Sequence, residues 1–346
     1  MRQILLKDYG KLSFTEDGEE ISQLYPGTVK VHVKACGICG SDIALYRGKR
    51  DLSKEHYFGH EFSGVVLEDG QGALPIKRGT RIATELSRTC GTCWQCSHDL
   101  PNYCRSMNDA LFPGGFTEET LVRHQEDYSF LSVIPDNLDF ITAATLEPFN
   151  CAYHIARRAK VQKGDTVLVI GMGTIGILTA ILLKDFGAGA VVGADINPYR
   201  LDYIQRSGLV DKAVNVREDD WLNQVLSYCG DSHGTDIVVE ATGVVQTLQN
   251  AFEAVRPGGR VVVGGVYGTP AKDLHLLPIF RKELDVVGAK GPYPYPDQDG
   301  RSLPLKSLVK LQDQVKKIIT TYPFSSAERA FEDMMSGKSI KSVICF

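Results

Sequence analysis

The sequence predicts an α/β protein, with a β-rich region first and a doubly wound parallel sheet behind it. Three observations predict this. Before about residue 150 the chain carries short alternating apolar runs broken by glycines. After about residue 150, continuous apolar strands alternate with helices, the pattern of a parallel sheet covered on both faces. The run Gly171-Met172-Gly173-Thr174-Ile175-Gly176 sits at the first such strand-to-helix junction. With 346 residues, 43% of them hydrophobic, the chain is long enough to bury two cores.

The elements follow in order. MRQILLKDYGKLSFTEDGEE reads as a strand, a turn and an acidic loop; it has no long apolar stretch and no small-residue cleavage site, so no signal peptide is expected. VKVHVKACGICG alternates as a half-buried strand and breaks at glycines, and FSGVVLEDG and RIATEL read the same way. A cysteine-rich lobe interrupts this region at 87–107, and GGFTEETLVRH returns to strand. CAYHIARRAK is helical. TVLVI, ILTAILLKDF and AVVGAD then read as strand, helix and strand, and the alternation continues through DIVVEATG, QTLQNAFEAV and GGRVVVGGV. KELDVVGAKG leads into the proline-rich loop GPYPYPDQDGRSLP. Two helical segments follow, and the last strand, KSVICF, has no helix after it and is expected to rejoin the strand-rich region.

Of nine cysteines, four form Cys90-x2-Cys93-x2-Cys96-x7-Cys104. The x2 spacings bring successive thiolates to one tetrahedral ion from a tight turn. Four sulfurs with no open position describe a structural zinc site, because catalytic zinc keeps one place for water or substrate. Two disulfides packed this densely are the weaker reading. An odd cysteine count with metal-like clustering points to a reducing compartment, and the chain is expected to be cytoplasmic.

The glycine run follows TVLVI and opens the next helix. Gly171 permits the tight turn, Gly173 lets backbone approach a pyrophosphate, and Gly176 allows close helix packing. The helix N-terminus offers free N–H groups to the anion. The next strand ends in Asp195, at about the ~20-residue distance expected of a ribose-binding acid, which favours NAD over NADP by repelling a 2′-phosphate. Thr174, Ile175 and Arg200 complete the candidate cofactor-binding set. A Rossmann-like domain that binds another nucleotide, or none, is the competing reading.

Cys39 lies in GICGSD, His60 and Glu61 in GHE, and Glu147 in LEPF. One thiolate, one imidazole and a carboxylate make an open zinc site with room for a substrate oxygen. Taken singly, each has an ordinary alternative: Cys39 as a small buried residue, His60 as a hydrogen-bonded core histidine, Glu147 as a charge at a helix start.

GICGSD, GHEFSG, the four-cysteine lobe, GGF, LEPF and GMGTIG occur in that order over essentially the whole chain. This ordered set resembles the zinc-dependent medium-chain dehydrogenases, closest in texture to the sorbitol, threonine and sugar-phosphate polyol dehydrogenase branch. The resemblance implies a GroES-like catalytic domain from both chain ends (1–149 and 291–346) with a Rossmann domain (150–290) inserted. It implies Cys39 and His60 as catalytic zinc ligands. Glu147 matches a position that is cysteine in liver-type alcohol dehydrogenases and glutamate in the polyol branch, binding zinc directly or through water. Glu61 is a ligand in some members and a neighbour of the ligands in others. Ser41 matches the hydroxyl that takes the substrate's proton, and Asp42 a carboxylate that orients the zinc histidine. Many relatives carry a histidine five residues after the first ligand; here that position is Ala44. Proton exit is then left to water, Ser41 or His56. The proline-rich loop replaces a more regular family segment and is expected to shape the substrate pocket.

The expected activity is NAD-dependent oxidation of a secondary alcohol in a polyol, sugar, sugar phosphate or cyclitol, with two zinc ions per chain. A primary-alcohol or aldehyde dehydrogenase is the nearest alternative, and Glu147 speaks against it. A zinc-free quinone reductase or structural relative lacks the cysteine lobe. Arg47, Lys49, Arg50 and Lys54 in the loop between the first two ligands fit either a substrate anion or a solvated surface. His154, Arg157 and Arg158 read as packing or surface residues. A net charge of −4 and no apolar run of about 20 residues give no sign of nucleic acid or membrane partners. The open edge left by KELDVVGAKG predicts a homodimer or homotetramer, unless the proline-rich loop folds over it.

Overall fold

The structure, a computed structural model, describes residues 1–18, 20–49, 58–107, 114–230, 233–268 and 270–346. The chain divides into two compact units, Met1–Asn150 with Pro292–Phe346, and Cys151–Gly291.

In the first unit, β1 (Gln3–Asp8) and β2 (Lys11–Thr15) form a hairpin. The expected single strand is thus two, because Gly10, at φ +72°, reverses the chain between them. β3 (Thr28–Gly37) precedes a short helix, α1 (Gly40–Tyr46), and pairs antiparallel with β4 (Glu61–Asp69). β5 (Arg81–Ala83) is shorter than RIATEL suggested. At Thr84 the backbone N–H still donates to Phe62 O at 2.8 Å, but the side-chain hydroxyl rather than a backbone carbonyl accepts from Phe62 N at 2.9 Å, and Glu85 turns into the interior. The cysteine lobe carries α2 (Trp94–Ser97). The strand expected from Gly114 onward begins only at Glu119, as β6 (Glu119–Gln125), since Gly114 takes φ +94° and Gly115 N–H donates to Gly59 O. β7 (Tyr128–Ser129), β8 (Ser132–Val133), α3 (Phe140–Ala143) and α4 (Leu146–Ala159) follow, the first unit ending within α4.

The second unit is built from alternating strands and helices: β9 (Thr166–Ile170), α5 (Thr174–Asp185), β10 (Ala190–Asp195), α6 (Pro198–Arg206), β11 (Lys212–Asn215), α7 (Trp221–Leu226), β12 (Thr235–Glu240), α8 (Val245–Ala254), β13 (Val255–Val263), α9 (Leu277–Arg281) and β14 (Asp285–Gly288). Its six strands are all parallel, in the order β11-β10-β9-β12-β13-β14. The order reverses beside β9, so the turn after β9 stands at the switch point where such sheets bind ligands. Leu168, Ile170, Val192, Val238 and Phe252 pack its core. β14 is the outermost strand.

The chain then returns to the first unit with α10 (Leu303–Lys316), β15 (Ile319–Pro323), α11 (Ala327–Ser336) and β16 (Lys341–Cys345). β15, which the two helical segments left unread, pairs parallel with β16. β16 lies antiparallel beside β3, with Ile344 opposite Cys36. Val29, Val31, Val33, Phe62, Phe116 and Phe331 form the core beneath.

Candidate active site

The register of β3 on β4 assembles the site. Gly37 is opposite Glu61, so the residues just after β3 and just before β4 leave the sheet at the same end. Cys39 and His60 therefore meet although 21 positions separate them in sequence. Cys39 stands at the N-cap of α1 with extended backbone (φ −89°, ψ 155°). Asp42, fully buried in the first turn, accepts from Cys39 N at 2.8 Å through one oxygen and from Gly59 N at 3.2 Å through the other. One carboxylate thus fastens both loops, and its charge also faces His60.

The donor atoms of Cys39, His60 and Glu61 all lie within 4.8 Å of one another. Glu147, buried in the first turn of α4, acts on both Cys39 and His60 through its charge. Burial opposes ionisation of the Cys39 thiol, but the charge and hydrogen bond of His60 outweigh it and bring it below the ordinary thiol value. Burial likewise opposes protonation of His60, and Cys39 outweighs it, with Glu147 and Asp42 adding, so the imidazole is held well above its ordinary value. A thiolate with two carboxylates around one imidazole is a donor set of net negative charge, which suits a divalent cation. Ser41 is half-buried at the second position of α1.

Lys341 was not singled out in the sequence. Its Nζ, fully buried, pairs with Glu61 and donates to Ile38 O at 2.9 Å, one residue before Cys39. Its only sequence signal is a charged residue opening a final strand that ends in the apolar run VICF. Glu85 was also missed. Its buried carboxylate accepts from Asn150 Nδ2 at 2.8 Å, Ser302 Oγ at 2.7 Å and Ser132 Oγ at 2.7 Å. Asn150 Oδ1 in turn accepts from Tyr293 N at 2.8 Å. This network lies one helical turn from Glu147 on α4, and with no cation in it, burial raises the Glu85 carboxyl above its ordinary value.

Cys90, Cys93, Cys96 and Cys104 converge in the lobe. Cys93 N-caps α2, which carries Cys96. Sγ of Cys96 lies 3.5 Å from that of Cys93 and 3.9 Å from that of Cys90. Four thiolates on one tetrahedral zinc, at about 2.3 Å each, stand about 3.8 Å apart, so the sulfurs are placed for a shared ion. No disulfide joins any cysteine. Backbone N–H groups, that of Cys93 first, pull the Cys90 thiol down to about 6, toward the thiolate such an ion needs.

In the second unit, Gly171 takes φ +99°, and a Cβ on Gly176 would collide with the Gly171 carbonyl, so the turn closes tightly onto α5. A Cβ on Gly173 would enter open space whose nearest neighbour is Arg200 Nη1 at 4.0 Å. Arg200 Nε is buried and has no hydrogen-bond partner. Thr174 and Ile175 form the half-buried first turn of α5. Asp195, at the end of β10, accepts from Met172 N (2.7 Å), Ile196 N (2.7 Å) and Asn197 N (2.9 Å), with Arg200 Nη1 3.7 Å away. Those amides use three of a carboxylate's roughly four acceptor positions. The remaining one, on Oδ2, makes no hydrogen bond and could receive a ribose hydroxyl, and the cradle at Gly173 beside the unpartnered Nε of Arg200 suits a pyrophosphate.

Arg47 and Lys49 are exposed after α1; Arg50, Lys54 and His56 lie outside the described residues. Among the described residues no helix is long and apolar enough to cross a membrane.

The chain is similar to known dehydrogenases in both of its units. Residues 25–135 match the family described as alcohol dehydrogenase GroES-like domain, and residues 174–298 match zinc-binding dehydrogenase. A sorbitol dehydrogenase of Bacillus subtilis is 33% identical over 75% of this chain and 74% of its own. A probable D-xylulose reductase A of Arthroderma otae is 33% identical over 91% of this chain and 89% of its own. The chain belongs to the zinc-dependent medium-chain alcohol and polyol dehydrogenase family. This dehydrogenase is therefore an oxidoreductase, with the GroES-like and Rossmann architecture its sequence predicted. Among solved structures, an alcohol dehydrogenase from Thermus sp. ATN1 superposes with a TM-score of 0.81 at 26% identity, covering 100% of this chain and 99% of that one.

Proposed function

We propose that this dehydrogenase oxidises a secondary alcohol of a polyol, sugar, sugar phosphate or cyclitol, using NAD, and runs the reverse reduction at the same site. The observation that carries this reading is the cluster of one thiolate, one imidazole and a carboxylate within 4.8 Å, with a second carboxylate facing it. It has a single sulfur donor and leaves a position for a substrate oxygen.

Cys39, His60 and Glu61 would hold the catalytic zinc, with Glu147 beside them, and Cys90, Cys93, Cys96 and Cys104 the structural one. When bound, zinc supplies a Lewis acid that makes a substrate hydroxyl acidic near neutral pH, and NAD supplies the hydride acceptor. Asp42 keeps the Cys39 and His60 loops in register. Lys341 fixes one oxygen of Glu61 and leaves the other to the ion. Ser41 takes the proton from the substrate hydroxyl; since position 44 is alanine, the proton passes on to water rather than to a histidine there. Gly171, Gly173, Thr174, Ile175 and Gly176 receive the pyrophosphate, Arg200 neutralises it, and Asp195 binds the ribose.

The protein is proposed to be a homodimer or homotetramer in the cytoplasm. Supporting this, Val286 on the outermost strand β14, Leu277 and Phe280 on α9, and Val266 are large apolar side chains left exposed, Phe280 at 82%.

The test is a panel of polyols, sugar phosphates and cyclitols with NAD and with NADP, followed at the nicotinamide absorbance band. Turnover of secondary polyol alcohols with NAD is expected. Activity confined to primary alcohols, or none with any member, would overturn the reading.

A further inference from the structure

A second cleft lies wholly within the first unit, and Cys39, His60, Glu61 and Glu147 do not line it. It has a volume of about 710 Å³, in the range of small-molecule sites. It opens between β8 and α10. Because β8 pairs with β5 and β5 with β4, it stands two strands, about 10 Å, from β4.

Its walls are apolar: Leu131, Ile134, Leu305 and Val309. Its polar lining has one sign. Arg88, Arg301 and Lys306 face it, with His124 held neutral by burial beside them, and no Asp or Glu is among its described lining residues, in a chain with 42 acidic and 38 basic side chains. Arg88 and Lys306 are already paired, with Glu126 and Asp297. Arg301 is exposed, and among the described residues its guanidinium has no partner; only its backbone is used, the N–H donating to Asp297 Oδ1 at 2.8 Å and the carbonyl accepting from Asp297 N at 2.8 Å. Ser132 and Ser302 line the cleft but turn their hydroxyl hydrogens inward to Glu85.

We propose that this cleft is a second binding site, for a free organic anion with an apolar body, of the chemistry of a medium-chain carboxylate. The head is held at the rim by the forked donors of Arg301, and the hydrocarbon body lies against Leu131, Ile134, Leu305 and Val309. Neither half suffices alone. An uncharged alcohol leaves the guanidinium unmatched, and inorganic phosphate leaves the walls uncovered.

The test uses the intact zinc-loaded enzyme at saturating NAD, with anilinonaphthalene sulfonate as fluorescent probe and octanoate, octanol and inorganic phosphate as competitors. Octanoate should displace the probe, while octanol and phosphate should not. Arg301→Glu should weaken octanoate binding by about tenfold or more, as expected for losing a charge-assisted contact and gaining repulsion. Leu305→Glu should weaken it by a comparable factor from the wall side. Arg301 is exposed, and an unchanged melting temperature for its variant confirms that the fold survives. Octanoate binding that is absent from the wild type, displaced by NAD, matched by octanol, or unchanged in either variant would overturn the proposal.

Discussion

Lys341 and Glu61 form a buried ion pair between residues 280 positions apart, the first residue of β16 and the first of β4. The same ammonium also holds Ile38 O, next to Cys39. The C-terminal strand thereby anchors two of the residues that would bind the catalytic ion.

Lys341→Met should be costly for this reason. It leaves Glu61 charged and unpaired in the interior, a change that destabilises by about 3–5 kcal/mol. Thermal or urea unfolding should show that loss, and adding Glu61→Gln to the same chain should recover much of it. A double variant as unstable as the single one would mean that the pair does not carry the effect.

The fold class was legible because it rests on local pattern: alternation before residue 150, continuous apolar strands with helices after it, and a glycine turn between Ile170 and Thr174. The candidate ligands were visible as motifs, but no local pattern says that Cys39 and His60 meet; that follows from Gly37 standing opposite Glu61 across β3 and β4. Lys341 and Glu85 were illegible for the same reason. Each looks like an ordinary charge until distant segments bury it, Lys341 against Ile38 and Glu61, Glu85 against Ser132, Asn150 and Ser302. β15 was missed because its five residues become a strand only by pairing with β16.

Asp195→Ala should raise KM for NAD and narrow the preference for NAD over NADP, through loss of the open acceptor on Oδ2 and of the charge facing a 2′-phosphate. It should also lower the melting temperature, because the amides of Met172, Ile196 and Asn197 lose their acceptor. Steady-state kinetics with both cofactors checks the first effect. A wild type that already prefers NADP would contradict the role given to Asp195.

Glu85→Ala should destabilise by about 2–3 kcal/mol, since it strands Asn150, Ser132 and Ser302 in the interior. The pH dependence has a definite sign. Burial raises this carboxyl above its unfolded value, so the folded state holds the proton more tightly. Its contribution is greatest below the ordinary glutamate value and declines as pH rises from there to the folded value. The unfolding free energy of wild type minus that of Glu85→Gln should fall over that window. A difference that rises with pH would contradict the assignment.

Sedimentation at micromolar concentration should give two or four times the chain mass of 38.0 kDa. Phe280→Asp, at the exposed apolar side chain of α9, should shift the species toward 38.0 kDa. A wild type that sediments as a single chain would remove the proposed edge pairing.

Zinc content per chain, measured by mass spectrometry of metal in the purified protein, tests the central claim most directly. The wild type should carry two zinc ions. Cys39→Ser should lose one and all turnover while keeping its melting temperature. Cys93→Ala should lose the other, with a lowered melting temperature and turnover retained in the folded fraction. One zinc or none in the wild type, or two in Cys39→Ser with activity intact, would contradict a catalytic metal site at Cys39, His60 and Glu61.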